Sequence, residues 1–334
     1  MSQQIPISVV LPFFQAELKL ERAVQSILKQ TFTAFELLLV DNNSTDRSAE
    51  IAWKLAQSDS RIKLLYEQQQ GVVFAMNRGM AAARGSYLAR MDADDISLPE
   101  RLEKQHQFLQ NHPRIGLVGS NVRHVSSLPS DGLQRFVDWV NGFHSEEEIW
   151  LNRFVEIPLI QPGVLFRAEL VKQYGAYRHG NFPEDYELFL RWLAGGVRFA
   201  QLPEVLHEWH DSETRLTRTD ERYSTEAFYK TKAHYFAQWF MQKQAEKELW
   251  IWGAGRKSRQ RVRFLEDEGL HVAGYYDLKS HKTSEKPSLA YHAVPEPGTQ
   301  FILSMVGRYG AREKISSFLE NKQYRAGGDY LMMA

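Results

Sequence analysis

Met91-Asp92-Ala93-Asp94-Asp95 places three carboxylates within four residues. Such a cluster repels itself unless something positive stands beside it. An all-oxygen donor set suits a hard divalent cation, Mn2+ or Mg2+, and through it a substrate phosphate. The chain enters the cluster along a half-apolar run, Ser86 to Met91, that reads as a strand. It leaves through Ser97, Pro99 and Glu100, the pattern of a capping box opening a helix from Leu98 to Gln110. Read in isolation, an acidic triplet before a helix is a solvated turn that complements the helix dipole. A second acidic pair, Glu184-Asp185, opens another helical stretch and carries the same plain reading.

The elements that must position these residues come in a regular order. Ile5 to Leu11 is an apolar, β-branched run closed by Pro12. Leu20, Ala23, Val24, Ile27 and Leu28 recur at helical spacing between Glu17 and Gln30. Phe35 to Val40 is a second strand ending at Asp41-Asn42-Asn43-Ser44-Thr45-Asp46, with a helix after it. Ile62 to Tyr66 is a third, and a helix led by Gly71 runs to Ala83 before Arg84-Gly85 turns into the acidic strand. Alternation at this spacing predicts an α/β fold with a mostly parallel sheet and right-handed crossovers. Ligands of such sheets sit at the carboxyl ends of the strands. Asp41 and Asp92 to Asp95 each end a strand, so both acidic loops should face one crevice.

Beyond them, Ile115 to Gly119 and Val197 to Leu202 read as strands. The stretch from Asn121 to Asn152 reads as irregular, a lid or acceptor-facing loop. Ala227 to Glu248 is one long helical stretch whose charged end marks a boundary. The expected domains are therefore 1–240 and 247–334. The second begins with Leu249-Trp250-Ile251-Trp252 and Gly253-Ala254-Gly255, followed by a helix and a strand, Val272 to Tyr276, ending at Asp277. Phe301 to Val306 and Tyr330 to Met333 add strands around a helix from Ala311 to Leu319.

Composition narrows the chemistry. The 334 residues carry 41 basic and 41 acidic side chains, so no global field favours nucleic acid. There is no cysteine, which excludes disulfides, zinc-thiolate sites and cysteine nucleophiles. No segment approaches the ~18 apolar residues of a membrane span, and no basic region precedes an apolar run at the N-terminus. A cytoplasmic protein is expected, with peripheral contact at the inner face of a membrane left open by its eight tryptophans.

Taken in order, these segments resemble family 2 glycosyltransferases, inverting enzymes of the GT-A fold, over the first ~235 residues. The resemblance runs through Ser8-Val9-Val10-Leu11-Pro12, Ser26-Ile27-Leu28-Lys29-Gln30-Thr31-Phe32 and Val40-Asp41-Asn42-Asn43-Ser44-Thr45-Asp46. It continues through Asn77-Arg78-Gly79, Ala83-Arg84-Gly85-Ser86-Tyr87, Met91 to Asp95, Pro99-Glu100-Arg101-Leu102 and Glu184-Asp185-Tyr186-Glu187. It implies transfer of a sugar from a nucleoside diphosphate sugar, with a UDP-sugar as the expected donor, to a glycan or lipid-linked hydroxyl. Cell-surface polysaccharide or lipopolysaccharide synthesis is the implied setting. Pro12, Phe13, Asp41, Asn42, Asn77, Asp92 and Ala93 would line the nucleotide pocket. Asp94 and Asp92, with His210, would hold Mn2+ or Mg2+. Asp185 would be the general base and Glu184 its support. The base is weak, since an Asp pKa of ~3.9 lies far below that of an alcohol, so proton transfer must accompany bond formation. Two positions depart from the pattern: Asn42 stands where relatives often carry a second acid, and Glu208 where many carry Arg.

Two rivals differ in kind. A sugar nucleotidyltransferase would want a Gly-rich, basic loop after the first strand, which Pro12-Phe13-Phe14-Gln15 lacks. A non-catalytic nucleotide-sugar or partner-binding module would not need Asp92, Asp94 and Asp185 together. Gly253-Ala254-Gly255 with Asp277 about twenty residues on imitates a dinucleotide fingerprint, with Ser258 at its third glycine. A Rossmann-like unit used for regulation or docking is expected there in preference to NAD binding.

Overall fold

A computed structural model of the chain describes residues 5–126, 131–211, 218, 220–280, 286–308 and 310–334. Two compact units divide it: Met1–Ile149, Pro158–Gly180 and Glu187–Thr219 form the first, and Trp150–Ile157, Asn181–Tyr186 and Asp220–Ala334 the second. The 213–217 region between the histidines and the second unit lies outside the described residues.

The first unit is built on strands β1 (Ile7–Phe13), β2 (Phe35–Asp41), β3 (Ile62–Tyr66), β4 (Tyr87–Arg90), β5 (Ile96–Ser97), β6 (Ile115–Val125), β7 (Leu165–Arg167) and β8 (Arg198–His210). They form one sheet in the order β3-β2-β1-β4-β7-β6-β8-β5. The first four in that row are parallel; β7 runs antiparallel to both its neighbours, and β5 is antiparallel to β8. Every residue of β1 and β2 is buried, as expected for strands covered on both faces. Helix α1 (Leu20–Leu28) turns Leu20, Ala23, Val24 and Ile27 inward, and α2 (Ser48–Ser58) and α3 (Val72–Ala82) complete the crossovers.

Gly85 starts the acidic strand because nothing larger fits. A Cβ there would lie 2.5 Å from the Ser8 amide nitrogen, and backbone cannot step aside as a flexible side chain can. Gly85→Ala should cost about 1–3 kcal/mol by overpacking, read as a lowered denaturant midpoint with an unchanged slope.

Three sequence expectations change here. The helix after the acidic loop, α4 (Arg101–Asn111), is not opened by a Ser97–Glu100 capping box. Ser97 lies in β5, its hydroxyl accepts from Gln30 Nε2 at 3.0 Å, and Gln30 Oε1 accepts the Leu102 amide at 3.0 Å. The buried Gln30 caps α4 from across the core, a long-range device that local spacing does not reveal. The described residues between Asn121 and Asn152 are regular as well. Strand β6 continues to Val125, and α5 (Asp131–Val140) and α6 (Glu146–Asn152) follow. Val122, Val137, Val140, Ile160 and Trp209 form a small core of their own, with Trp139 packed on it. The strand expected to end at Leu202 extends to His210, which puts both histidines on β8. Two short helices join later parts of this unit, α7 (Glu169–Tyr174) and α8 (Glu184–Ala194), whose first residues belong to the second unit.

That second unit holds strands β9 (Glu248–Trp252), β10 (Val272–Asp277), β11 (Ser288–Ala290), β12 (Gln300–Ser304) and β13 (Tyr330–Met332), all parallel, in the order β11-β10-β9-β12-β13. Helices α9 (Thr225–Lys243), α10 (Arg256–Asp267) and α11 (Ala311–Asn321) accompany them. The expected boundary at 240–247 separates the two sheets along the chain, while α9 itself belongs to the second unit. Gly253 turns with φ +112°, and the Ala254 amide donates to Asp277 Oδ2 at 2.7 Å. The acid that a dinucleotide site would turn toward a ribose therefore closes the glycine turn.

Candidate active site

Because β2, β1 and β4 are adjacent and parallel, Asp41, Phe13 and the acidic loop emerge at one edge of the first unit. Register fixes this: Phe13 pairs with Asp41, and Val10 with Arg90. Pro12 sits one residue inside β1, opposite Val40. Asp41 is buried and accepts the Ser44 amide at 3.1 Å, which ties down the turn after β2.

Asn42 and Asn77 are committed differently from the expectation. The Asn42 amide donates to Glu67 O and Gln69 O at 3.2 and 2.7 Å, and its oxygen accepts the Gly71 amide at 2.7 Å. Both N–H groups that could read a base edge are spent on the loop from 67 to 71. Asn77 clamps the Tyr177 backbone, donating to its carbonyl at 2.9 Å and accepting its amide at 3.1 Å.

The three carboxylates occupy three distinct environments. Asp92 pairs with Arg90 at 3.0 Å. Asp95 is 1% exposed and accepts from the His210 amide at 2.8 Å and from His207 Nε2 at 2.9 Å. Burial and the charge of Arg101 push His207 down to about 3, so its ring is neutral. Arg101 can only donate, and its Nη1 stands 3.4 Å from His207 Nδ1, so Nδ1 is the acceptor and Nε2 carries the proton toward Asp95. Arg101, fully buried and pushed down to about 10 by that burial, also donates to Arg90 O and Pro162 O. Asp95 is thus the foot of the loop. Asp95→Ala would strand two donors and a buried guanidinium, and about 3–5 kcal/mol of stability should go with it, measurable by urea unfolding.

Asp94 is about as exposed as Asp92, its side chain at 32% against 30%. Desolvation first, then the charges of Asp95 and Asp92, raise it to about 6 against a partial offset from Lys19. Lys19 Nζ lies 3.4 Å from Asp94 Oδ2, and Arg22 Nη2 donates to the Asp94 carbonyl at 3.3 Å. Lys19 is the residue before α1 and Arg22 stands in its first turn, so both cations come from the start of that helix. Ala93, between the acids, packs against the core and fixes their spacing.

His210 has a cation and an anion at its ring. Its ring lies 3.4 Å from Arg22 Nη2 on one side and 3.4 Å from Glu208 Oε2 on the other. Among the described residues, no three His, Asp or Glu side chains converge as a ready cation cage. A hard cation still fits Asp94, because Mg2+ and Mn2+ take one or two carboxylates and complete their shell with substrate phosphates and water.

Glu184 and Asp185 stand in the first turn of α8, within the second unit. Glu184 is buried and accepts the Tyr223 hydroxyl at 2.6 Å. Burial, with the charges of Glu184 and Asp185, drives the Tyr223 phenol far above its usual range, so it stays a donor. Asp185 is half-buried and accepts the Tyr186 amide at 2.7 Å. Trp209 belongs to the small core, and Trp150 packs against Trp239 and the Arg153 guanidinium.

Sequence reasoning missed Lys19, Arg22, Arg90, Arg101 and Tyr223. Arg90 and Asp92 offered a signal only in being two residues apart at a strand end. Lys19 and Arg22 share a helix face at i, i+3, but nothing local says what they point at.

A mixed sheet of this order, with acidic loops at the carboxyl ends of its parallel strands, defines an α/β protein of the GT-A type. The chain belongs to glycosyl transferase family 2, whose model matches residues 8–175. It is similar to the amylovoran biosynthesis glycosyltransferase AmsE of Erwinia amylovora, 31% identical over 202 residues, covering 60% of this chain and 74% of the relative. It also resembles the O-antigen biosynthesis glycosyltransferase WbnJ of Escherichia coli, 28% identical over 219 residues, 63% of this chain and 82% of that one. In fold it matches S. aureus TarS 1–349, solved in complex with UDP, with a TM-score of 0.56 at 18% identity, covering 79% of this chain and 70% of TarS. The mannosyltransferase PcManGT of Pyrobaculum calidifontis, in complex with GDP-Man and Mn2+, matches at 0.52 and 18%, covering 81% and 71%. The protein is thus a glycosyltransferase. No helix among the described residues is long and apolar enough to cross a membrane.

Proposed function

We propose that this glycosyltransferase works with inversion and a divalent cation, moving a sugar from a nucleoside diphosphate sugar, a UDP-sugar first among candidates, to a hydroxyl of a glycan or lipid-linked acceptor. Assembly of a cell-surface polysaccharide is the setting its amylovoran and O-antigen relatives suggest. The observation that carries the reading is Asp94: a carboxylate raised to about 6, set among like charges and flanked by Lys19 and Arg22 at the carboxyl edge of a parallel sheet. A bound Mn2+ or Mg2+ would neutralise charge developing on the diphosphate as it leaves.

The chain's own residues account for the rest. Asp41 and Phe13 wall the nucleotide end, Asp92 accepts hydroxyls, and Asp94 holds the cation. Lys19 and Arg22 attract the diphosphate. Asp185 takes the proton of the acceptor hydroxyl while that oxygen bonds to the anomeric carbon and the bond from carbon to phosphate oxygen breaks. Glu184, held by Tyr223, keeps the start of α8 in place. A panel of nucleotide sugars, scored for thermal stabilisation with and without Mn2+, tests this. Stabilisation by one nucleoside diphosphate series that grows with Mn2+ is expected, and indifference to every member would defeat the reading.

A further inference from the structure

We propose that Arg90 is a positioning residue that reserves Asp92 for hydroxyl groups of the nucleotide and leaves the cation to Asp94. This rests on the donor reading above and concerns how the loop divides its work. Arg90 ends β4 and is 5% exposed, an unusual place for a charge. Its guanidinium meets Asp92 side-on, Nε to Oδ1 at 3.0 Å and Nη2 to Oδ2 at 3.4 Å. Nη1 turns away and donates to Gln161 Oε1, with the Tyr177 hydroxyl 3.5 Å off. Gln161 Nε2 donates to that same hydroxyl at 2.7 Å, and the Tyr177 backbone is the one Asn77 clamps from α3. An unbroken chain of hydrogen bonds therefore runs from α3 to one carboxylate of the acidic loop.

A guanidinium is planar, cannot lose its proton in a protein and offers donors in a fixed fork. A carboxylate held by two arms of that fork has its orientation set and its charge largely balanced. Such a group attracts a divalent ion weakly, yet its outward lone pairs still accept hydroxyl hydrogen bonds. Asp94 meets a single-point ammonium, Lys19 at 3.4 Å, in place of that fork. Two acids one residue apart are thereby given different chemistry by what lies beneath them.

The test compares the full-length native chain, Arg90→Met, Asp92→Asn and the double variant. UDP and GDP are titrated calorimetrically, and Mn2+ without nucleotide is followed by electron paramagnetic resonance. Arg90→Met should weaken the nucleotide about tenfold and leave Mn2+ affinity level or raised, since Asp92 is released to join Asp94. The double variant should bind nucleotide no worse than Asp92→Asn alone. Additive losses, or a fall in Mn2+ affinity for Arg90→Met, would overturn the proposal. Arg90→Lys keeps the charge without the fork and carries the comparison if the Met variant does not fold. At least a threefold nucleotide loss at near-native Tm is expected there, and native affinity would overturn the assignment. If the native chain binds neither nucleotide, the donor reading fails and the inference with it, whereas native binding with unaffected variants removes the inference alone.

Discussion

Asp185→Asn should lower transfer by roughly 10²–10⁴-fold while nucleotide affinity stays within about twofold of native. The substitution keeps the side chain's shape and its oxygen toward the Tyr186 amide, 2.7 Å away. What it removes is the ability to accept a proton from the acceptor hydroxyl. The loss should therefore fall on kcat with little change in KM for the donor, because the group acts in the transition state and not in ground-state donor binding. Hydrolysis of the donor by water should drop in parallel. Steady-state kinetics with the donor found by the thermal screen, beside nucleotide titration of the same sample, reads both quantities. Unchanged turnover would take Asp185 out of the reaction.

Asp94→Asn should abolish cation-dependent transfer and make the protein more stable at neutral pH. The two effects share one cause. In the folded chain this carboxyl sits at about 6 against an ordinary value of 3.8, so between those values the folded state holds a proton that the unfolded state has lost. Stability therefore falls as pH rises through that window and stays reduced above it. Asparagine carries no charge to penalise, so the variant's Tm should exceed native at pH 7–8. The gap should close as pH falls from about 6 toward 4. Partial exposure and the Lys19 contact keep the gain modest. Activity runs the opposite way: native transfer at limiting Mn2+ should decline as pH drops below about 6, where protons compete with the cation. Retaining this acid at a cost in stability is what a functional group does. Parallel Tm and rate profiles of native and variant from pH 4 to 8 check both signs.

The sequence carried much of the first unit and part of the site. Alternating apolar strands and helices placed Asp41 and the acidic loop at one sheet edge, because parallel crossovers leave few topologies to choose among. It could not assign different roles to Asp92, Asp94 and Asp95. Their neighbours Arg90, Arg101, His207 and Lys19 come from a strand, a helix start, a distant strand and another helix, and their meeting is a consequence of the fold. The same limit hid the capping of α4 by Gln30 and the core that orders residues 131–152. Asn42 and Asn77 were legible as crevice residues, but their pairing with backbone 25 to 100 residues away was not. His210 was legible as a residue near the acidic loop, but the Arg22 guanidinium beside its ring, 188 residues away in sequence, was not.

The measurement that bears most directly on the central claim is calorimetric titration of the nucleoside diphosphate identified by the screen into native protein and Asp94→Asn, each with and without Mn2+. Native affinity should rise at least tenfold with the cation, and the variant should bind equally well, or equally poorly, in both conditions. The same cation enhancement in Asp94→Asn would show that the diphosphate is held elsewhere.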